Sequence, residues 1–206
     1  MVAGETWGRG QRFGIVPLSD GRVYWFATMN APEGTKDTET DAKQQLLRLF
    51  QRWHEPIVPL IEASESSSIL RNDVYDRNPL AKWSVGRVML LGDAAHPMTP
   101  NLGQGACQAI EDAPVLAVCL RKSAGVVAGL SEYQRRRVPR TSRIVLESRR
   151  IGEVGQWKNP LLCWLRDAAM RVTPSRMTVR HMDAVAGYRV LAPGDGPLSV
   201  SSTGAA

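Results

Sequence analysis

An aspartate that follows an apolar run, and two closely spaced glycines ten residues later, are the residues of this sequence best suited to ligand chemistry. Residues 88–113 read VMLLGDAAHPMTPNLGQGACQAIEDA. Four apolar residues, Val88 to Leu91, lead into Gly92 and Asp93, so we expect Asp93 at the end of a buried strand, at the edge where open α/β sheets bind ligands. Its carboxylate can accept hydrogen bonds from the hydroxyls of a sugar-like chain. An isolated Gly-Asp pair is more often only a loop cap, and the case for a site depends on the whole stretch.

The two glycines after the proline loop indicate a second point of contact with the ligand. Gly103 and Gly105 lack side chains where a backbone would approach a flat or anionic group closely. The residues after them favour a helix, whose first N–H groups have no partner within the helix and whose dipole is positive at that end. We therefore predict a ligand with a polyol chain near Asp93 and a flat part, able to carry negative charge, near the glycines. The alternative is that the two glycines only permit a tight turn.

Two elements must hold this stretch in place. The apolar character of Arg87–Leu91, after Gly86, predicts a short strand in a parallel sheet that is covered on both faces. The helix after the glycines is expected to bury the apolar residues that recur at helical spacing. These are Ala106, Ala109, Ile110, Ala113, Leu116, Ala117 and Leu120. Pro114 lies within this helix, where proline costs about 3 kcal/mol, so a kink or a drifted sequence is expected.

The rest of the chain alternates strand and helix patterns. Two β-branched and aromatic runs around the turn signal Ser19-Asp20-Gly21 should pair as a hairpin. Helical spacing of apolar residues predicts further helices on both sides of the glycine stretch. The predicted segments are strands at Gln11–Pro17, Arg22–Met29 and Ser68–Leu70, and helices from about Asp41 to Pro56, from Ser131 to Gly152 with a break at Pro139, and from Asn159 to Val172. The Gly/Pro/Ser-rich end from about Ala192 is expected to be disordered.

Residues 86–113 resemble the second flavin-binding motif of the single-component FAD-dependent monooxygenases, the aromatic hydroxylases of the para-hydroxybenzoate hydroxylase type. The segment PNLGQG, with a cysteine two residues later, is most similar to the branch that contains zeaxanthin epoxidase, urate hydroxylase and the plant monooxygenases related to salicylate hydroxylase. Upstream, residues 5–28 resemble strands of that family's substrate domain. Downstream, YQRRRVPR at residues 133–140 resembles its basic helix. The resemblance covers most of the chain.

The resemblance implies that Asp93 hydrogen-bonds the ribityl chain of FAD and that Pro100 lies beside the isoalloxazine ring. It also implies that main-chain amides of residues 103–107 reach the pyrimidine edge, where a reduced flavin carries charge that helix N-terminal amides stabilise. In that family NAD(P)H reduces FAD, and oxygen supplies the atom that is transferred to a small-molecule substrate. The implied FAD contacts are Gly92, Asp93, Pro100, Leu102, Gly103, Gln104, Gly105, Ala106 and Cys107, with no catalytic residue and no metal ligand among them.

The sequence also departs from the family. Members normally begin with a strand, a GxGxxG loop and a helix that bind the ADP half of FAD, and these 206 residues contain no such unit. Gly8, Gly10 and Gly14 have the wrong spacing and precede a predicted strand, while Asp20-Gly21 lies in a hairpin turn instead of the family's middle motif. We therefore expect the carboxyl-terminal half of a monooxygenase, inactive by itself and partnered by a missing amino-terminal half.

The expected fold class is α/β with mixed α+β character. It combines an incomplete Rossmann-like FAD/NAD(P)-binding domain with part of a mixed-sheet substrate domain. Residues 1–84 would form the end of the substrate domain, residues 85–155 the end of the FAD-binding domain, and residues 156–206 a C-terminal helix and a disordered tail. In this arrangement the strand after Gly86 lacks neighbours, so Val88, Leu90 and Leu91 should be poorly covered.

Composition limits the other classes of function. Three cysteines without CxxC pairing or histidine partners support neither a zinc site nor a disulfide framework. No apolar run approaches the roughly 20 residues of a bilayer span. Arginines are concentrated between Ser131 and Arg150, but no aromatic residues alternate with them, so a solvated basic face is expected and no nucleic-acid partner. The expected location is the cytoplasm, with a plastid as the alternative if the complete gene belongs to the plant branch.

Two hypotheses of different classes follow. The first is an NAD(P)H-using FAD-dependent monooxygenase, or the part of one that holds the isoalloxazine ring, which hydroxylates or epoxidises a small aromatic or isoprenoid-like molecule with oxygen. The second is a truncated, non-catalytic remnant or interaction protein that has lost FAD binding. Among the remaining candidates, we expect a structural role for His96, tight packing for Cys107, and packing for the aromatic run Tyr24–Phe26.

Overall fold

The computed structural model describes residues 3–35, 42–191 and 195. The predicted helix start at Asp41 and nearly all of the tail predicted to be disordered lie outside the described residues. The chain divides into two compact units, Met1–Val74 with Glu153–Ala168, and Tyr75–Gly152 with Ala169–Ala206. We call them unit 1 and unit 2. The assignment of residues 1–84, 85–155 and 156–206 to functional domains stays a prediction.

Unit 1 contains a three-stranded antiparallel sheet in the order β1-β2-β3. Its strands are β1 (Gly4–Trp7), β2 (Gln11–Pro17) and β3 (Val23–Met29). The predicted hairpin is therefore confirmed, and Phe13 pairs with Ala27 across it. Gly21 adopts a left-handed conformation in the turn, with φ of +85°, and the Asp20 carboxylate accepts a hydrogen bond from the Arg22 amide at 3.0 Å. This turn chemistry sets the register that places Phe13 and Trp25 on the core face.

Two helices cover that face. They are α1 (Ala42–Phe50) and α2 (Ile57–Ala63). Together with the sheet they bury Phe13, Phe50, Ile57 and Ile61, which we call the apolar cluster. The predicted first helix exists but ends at Phe50, short of the expected stop at Pro56, and a second helix begins directly after that proline. Proline fits there because the first N–H groups of a helix have no intrahelical partner to lose.

The segment between α2 and Trp83 was predicted to include a strand at Ser68–Leu70, which is wrong. Ser66–Ser68 forms one turn of 3₁₀ helix instead, and Leu70 is 82% exposed. β-branched and aliphatic side chains favour strands only when a pleated surface is available to pack against, and no described strand pairs with this segment.

The strand predicted before Asp93 is also different from expectation. Unit 2 has two short strands, β4 (Ser84–Val85) and β5 (Val88–Met89), which pair antiparallel around Gly86. Val88 is 70% exposed and Leu91 is also exposed, so the predicted burial in a parallel sheet is wrong. The expected poor cover is confirmed for Val88 and Leu91 but is wrong for Leu90, which is half-buried and packs against the core around Trp83. The physical reason is that the described residues offer β5 no parallel neighbour.

The helices of unit 2 are longer than the sequence suggested. They are α3 (Gly105–Lys122) and α4 (Val126–Gly155), whose last residues belong to unit 1. A further helix, α6 (Ser175–Ala186), was not predicted, while α5 (Pro160–Val172), which the two units share, agrees with its prediction. The predicted break at Pro139 is wrong, because α4 runs through it, and α3 likewise runs through Pro114. Each proline removes one backbone hydrogen bond, and several turns of helix on either side outweigh that loss. No helix among the described residues is both long and apolar enough to cross a bilayer.

The apolar stripe predicted for α3 is wrong over most of its length. Ile110 is 71% exposed, and the side chains buried along this helix are Gln108, Asp112, Val115, Val118 and Cys119. The second half of α3 packs into a core with Trp83, Ala95 and Tyr133. The first half instead buries polar groups, and these lie next to the predicted ligand loop.

Candidate functional site

The first half of the predicted ligand loop is a tight turn. Gly92–Ala94 forms one turn of 3₁₀ helix, and the Gly92 carbonyl accepts hydrogen bonds from the amides of Ala95 at 2.8 Å and His96 at 2.9 Å. Gly92 is buried in a left-handed conformation with φ of +56°, which glycine adopts without strain. Asp93 is exposed. The turn therefore buries its backbone and leaves one carboxylate facing solvent.

The second half of the predicted ligand loop connects to α3, and the space beside Gly103 is open. Pro100–Leu102 forms another 3₁₀ turn, and Gly103 follows with φ of +62°. A side chain built on Gly103 would meet no atom within 4 Å. Gln104 is the N-cap residue of the helix, and its side chain makes no capping hydrogen bond to the first turn. Residues 105–107 therefore present backbone donors that a ligand can occupy.

The helix α4 fixes the position of Pro100. The Ser148 hydroxyl donates a hydrogen bond to the Thr99 carbonyl at 2.6 Å, and the side-chain nitrogen Nδ2 of Asn101 donates to the Ser148 carbonyl at 2.9 Å. The absence of a side chain at Gly152 is required here, because an added Cβ would lie 2.4 Å from Asn101 Nδ2. Both residues that flank Pro100 are thus held by α4.

The predicted FAD contacts fall into three groups by exposure. Asp93, Pro100, Gly103, Ala106 and Cys107 are exposed, Leu102 and Gly105 are half-buried, and Gly92 and Gln104 are buried. The Gln104 side chain accepts a hydrogen bond from the side-chain nitrogen Nε2 of Gln108 at 3.3 Å. We therefore expect Gln104 to contact a ligand through its backbone alone. The exposed carboxylate, the uncapped amides and the free space at Gly103 suit a flavin with its ribityl chain. Direct contact of these residues with FAD stays a prediction.

Behind the loop lies a set of buried and half-buried ionisable residues that the sequence did not predict. We call it the charged cluster: His96, Glu111, Asp112, Arg137 and Arg140. Asp112 is fully buried, and its Oδ2 accepts hydrogen bonds from His96 Nε2 at 2.8 Å and from the Gly92 amide at 3.2 Å. Its Oδ1 accepts one from Arg137 Nε at 2.7 Å. The carboxylate therefore joins the loop to both long helices.

Arg137 is the centre of this cluster. It is 1% exposed and donates to Asp112, to Glu111 at 2.7 Å, and to both the carbonyl and the side chain of Gln108 at 3.1 and 3.0 Å. Arg140 forms a two-point ion pair with Glu111, with both distances 2.7 Å. Two arginines thus neutralise two carboxylates, which is the condition under which charges remain stable in a protein interior.

The neighbouring basic residues lower the pKa of both acids in the charged cluster. Burial by itself raises the pKa of Asp112, but the hydrogen bonds from His96 and Arg137 outweigh it, so the pKa lies below its ordinary value. Burial likewise raises the pKa of Glu111, and its ion pairs with Arg140 and Arg137 lower it below the ordinary range. Both carboxyl groups are consequently ionised at neutral pH.

The basic helix therefore differs from the solvated face that was predicted. Arg137 is buried and Arg140 nearly so, while Arg135 is exposed and pairs with Glu132. The available signal was the spacing: Arg137 and Arg140 lie three apart on one face of a helix, and the acidic pair Glu111-Asp112 lies on the neighbouring helix. Acids on an otherwise apolar helix are equally compatible with solvent exposure, and for that reason the pairing was missed.

The other candidate residues differ in their surroundings. His96 is buried and bonded to Asp112, as a structural role requires. Cys107 is exposed, which contradicts the tight packing that was predicted. Gly8 and Gly10 lie in the β1–β2 connection, where the Gly8 amide donates to the Gln11 carbonyl at 2.8 Å, and this is a hairpin and not a phosphate loop. Tyr24 in the aromatic run is largely exposed.

Residues 5–148 match the family model described as an FAD binding domain. The chain belongs to this family. Its relatives are FAD-dependent monooxygenases, in agreement with the resemblance of residues 86–113. The combination of helices and small sheets also confirms the mixed helix and sheet fold class.

Members of the FAD-binding family with similar sequences come from different organisms. The chain is 54% identical to the aurachin C monooxygenase/isomerase of Stigmatella aurantiaca over 171 residues, which cover 83% of this chain and 44% of that protein. It is 34% identical to the FAD-dependent urate hydroxylase of Klebsiella pneumoniae over 163 residues, which cover 77% of this chain and 42% of that protein. The chain thus spans less than half the length of these relatives.

A solved structure agrees with the sequence comparison. The crystal structure of Klebsiella pneumoniae HpxO complexed with FAD and uric acid matches with a TM-score of 0.83 and 30% identity, over 96% of this chain and 49% of that one. The fold described above is therefore the fold of about half of an FAD-binding protein.

Proposed function

We propose that this chain holds the flavin-ring side of FAD in an NAD(P)H-dependent monooxygenase that hydroxylates or epoxidises a small aromatic or isoprenoid-like molecule. The observation that carries the proposal is the geometry of the loop from Gly92 to Cys107. It combines one exposed carboxylate with uncapped helix amides and an open space at Gly103. A polyol joined to a flat ring that can carry negative charge needs these two kinds of partner.

The residues of the chain have distinct tasks in this proposal. Asp93 accepts hydrogen bonds from the ribityl hydroxyls. The amides of residues 105–107 and the positive end of the α3 dipole stabilise negative charge at the pyrimidine edge. Pro100 presents an apolar ring without a backbone donor beside the flavin. When bound, reduced FAD supplies the activation of oxygen, and the chain contributes orientation and electrostatics.

The names of the relatives support the monooxygenase activity and the substrate class. One relative is a monooxygenase/isomerase for aurachin C, one hydroxylates urate, and a rice protein 41% identical over 145 residues is a zeaxanthin epoxidase. The use of NAD(P)H rests on the resemblance to the aromatic hydroxylases. We further propose that these 206 residues alone bind FAD weakly and do not turn over, because they contain no GxGxxG unit for the ADP half.

A titration with FAD tests this function. We expect the purified chain to quench flavin fluorescence in a saturable way and to shift the flavin absorbance. Asp93→Asn should raise the Kd about tenfold, since a hydrogen bond to a charged group contributes about 1.5 kcal/mol or more. The matched control is Asp20→Asn, which changes an exposed aspartate in the β2–β3 turn and should leave the Kd unchanged. A folded chain that shows no saturation at millimolar FAD would contradict the proposal.

A further inference from the structure

We propose that Asp112 is the positioning residue of the ligand loop: it fixes the turn from Gly92 to His96 and thereby the place of the exposed Asp93 carboxylate. The role rests on the proposed function, since Asp93 is the residue expected to meet FAD. Asp112 itself is fully buried and does not reach the ligand. It acts through the backbone of the turn.

One oxygen of Asp112 is hydrogen-bonded to both ends of the turn. Asp112 Oδ2 accepts from the Gly92 amide at 3.2 Å and from His96 Nε2 at 2.8 Å, so it contacts both the first and the last residue of the five-residue turn. Asp93 lies between these two contacts. The turn also packs closely against α3, because a Cβ added at Gly92 would lie 3.4 Å from the Cβ of Ala109. Displacing the carboxylate would release both ends at once.

His96 depends on Asp112 for its place. Its Nδ1 is buried and has no hydrogen-bond partner among the described residues, so the described polar contact of the ring is the one through Nε2. Trp83 lies beside the ring, with centroids 5.4 Å apart, and supplies packing without a hydrogen bond. Loss of the carboxylate would therefore leave His96 without a polar anchor in a buried position.

Arg137 holds the carboxylate from the opposite side. It donates to Oδ1 of Asp112 at 2.7 Å and is itself fixed by Glu111 and Gln108. On the outer side of the turn, Arg77 donates to the carbonyls of Ala94 and Ala95. The turn is thus held between a buried carboxylate and an outer guanidinium, and the two together leave Asp93 little freedom.

A matched pair of variants separates positioning from general stabilisation. Asp195 is also a buried aspartate paired with basic residues of the same two helices, at 3.0 Å from Lys122 Nζ and 3.1 Å from Arg136 Nη1, and neither of these ion pairs involves the turn. Asp112→Asn and Asp195→Asn should both lower the thermal midpoint. FAD binding and amide hydrogen exchange are then measured at a temperature at which all proteins are folded by circular dichroism.

We expect Asp112→Asn to raise the Kd for FAD by about tenfold and to speed exchange at the amides of Gly92, Ala95 and His96, because an amide has one acceptor oxygen and cannot accept from both the turn and Arg137. Asp195→Asn should change neither quantity by more than about twofold, which is within the usual spread for substitutions away from a site. If Asp112→Asn and Asp195→Asn affect the Kd and the exchange equally, the positioning role is overturned.

A second pair covers the case in which Asp112→Asn does not fold. His96→Leu removes the donor to Asp112, whereas His96→Gln keeps a nitrogen donor near the position of Nε2. We expect faster exchange in the turn for His96→Leu and recovery towards the parent rate for His96→Gln. Equal rates in the two variants would contradict the role of this contact.

The two proposals fail in different ways. A parent chain that does not bind FAD contradicts the proposed function, and the exchange rates alone then decide whether Asp112 fixes the turn. A parent chain that binds FAD, with Asp112→Asn binding equally well and exchanging at the parent rate, overturns the positioning role and leaves the proposed function intact.

Discussion

The apolar cluster of unit 1 and the charged cluster of unit 2 are two different solutions for a buried region. Phe13, Phe50, Ile57 and Ile61 exclude water with side chains that have no polar atoms. The charged cluster buries two guanidinium groups, two carboxylates and an imidazole, and nearly every polar atom has a partner. The first region is stabilised by the area it removes from water, and the second only by the completeness of its pairing.

The difference bears on how each region supports function. An apolar core is stabilised by contacts that are numerous and individually weak, so the loss of a single contact costs a small part of the total. A hydrogen-bonded charged cluster holds its atoms in one geometry, and removing one partner leaves the others buried without compensation. Within the charged cluster it is Asp112 that contacts the ligand loop, at Gly92 and at His96. The chain thus uses its least tolerant region at the place where backbone position matters.

The largest effect is expected from Arg137→Met. This change leaves Asp112 and part of Glu111 uncompensated in the interior, so the free energy of unfolding should fall by about 3–5 kcal/mol. Urea unfolding followed by circular dichroism measures the loss. Arg135→Met is the matched control on the same helix, because Arg135 is exposed and pairs with Glu132 at the surface. Similar losses for both variants would break the distinction between buried and surface arginines.

The pH dependence of stability provides the next test. Because the pKa of Asp112 in the folded chain lies below its ordinary value of 3.8, its stabilising contribution is complete above that value. The contribution is lost as the pH falls through the lowered pKa. The free energy of unfolding of the parent chain should therefore decline on acidification below about pH 4 more steeply than that of Asp112→Asn. Parallel curves for the two proteins would show that Asp112 is not held as a paired carboxylate.

A smaller effect is expected in the apolar cluster. Ile57→Val removes one methylene group from a fully buried side chain, and the free energy of unfolding should fall by about 1 kcal/mol. Ile110→Val makes the same chemical change at a side chain that is 71% exposed on α3, and it should be nearly neutral. Equal losses would mean that the face of α3 assigned to solvent is in fact packed.

The smallest effect is expected from Glu132→Gln. Glu132 accepts hydrogen bonds from Arg135 and Arg136 at the surface of α4, and these hold its pKa at about 2. Solvent screens such pairs, so the loss should be about 0.5 kcal/mol at low salt and should disappear in high salt. Thermal unfolding at two salt concentrations measures it. A loss that persists in high salt would show that these ion pairs are shielded from solvent, as those of the charged cluster are.

Local patterns predicted some elements correctly. The β2–β3 hairpin follows from alternating side chains around a glycine that must adopt a positive φ, and both signals lie within a few residues. The helix α5 follows from its own periodicity. The loop residues from Gly92 to Cys107 were found because their types and order resemble a known motif, and the family match over residues 5–148 agrees with that resemblance.

The predictions were wrong where a residue or strand distant in the sequence determines which side chains are buried or which strands pair. The stripe on α3 was assigned to its apolar side chains, but Arg137 comes from the next helix and makes burial of Asp112 and Gln108 favourable. The parallel strand before Asp93 failed for the opposite reason, since no described strand lies in position to pair with it in that way.

By itself the sequence determined the family of this chain, the order of its ligand loop and the hairpin of unit 1. These depend on residue types and on spacings of a few positions, which act through local backbone preferences. The tertiary structure alone decided that the acids of α3 meet the arginines of α4 and that Asp112 holds the turn carrying Asp93. A charged side chain is stable either in water or against an opposite charge, and only the folded chain determines which of the two surrounds it.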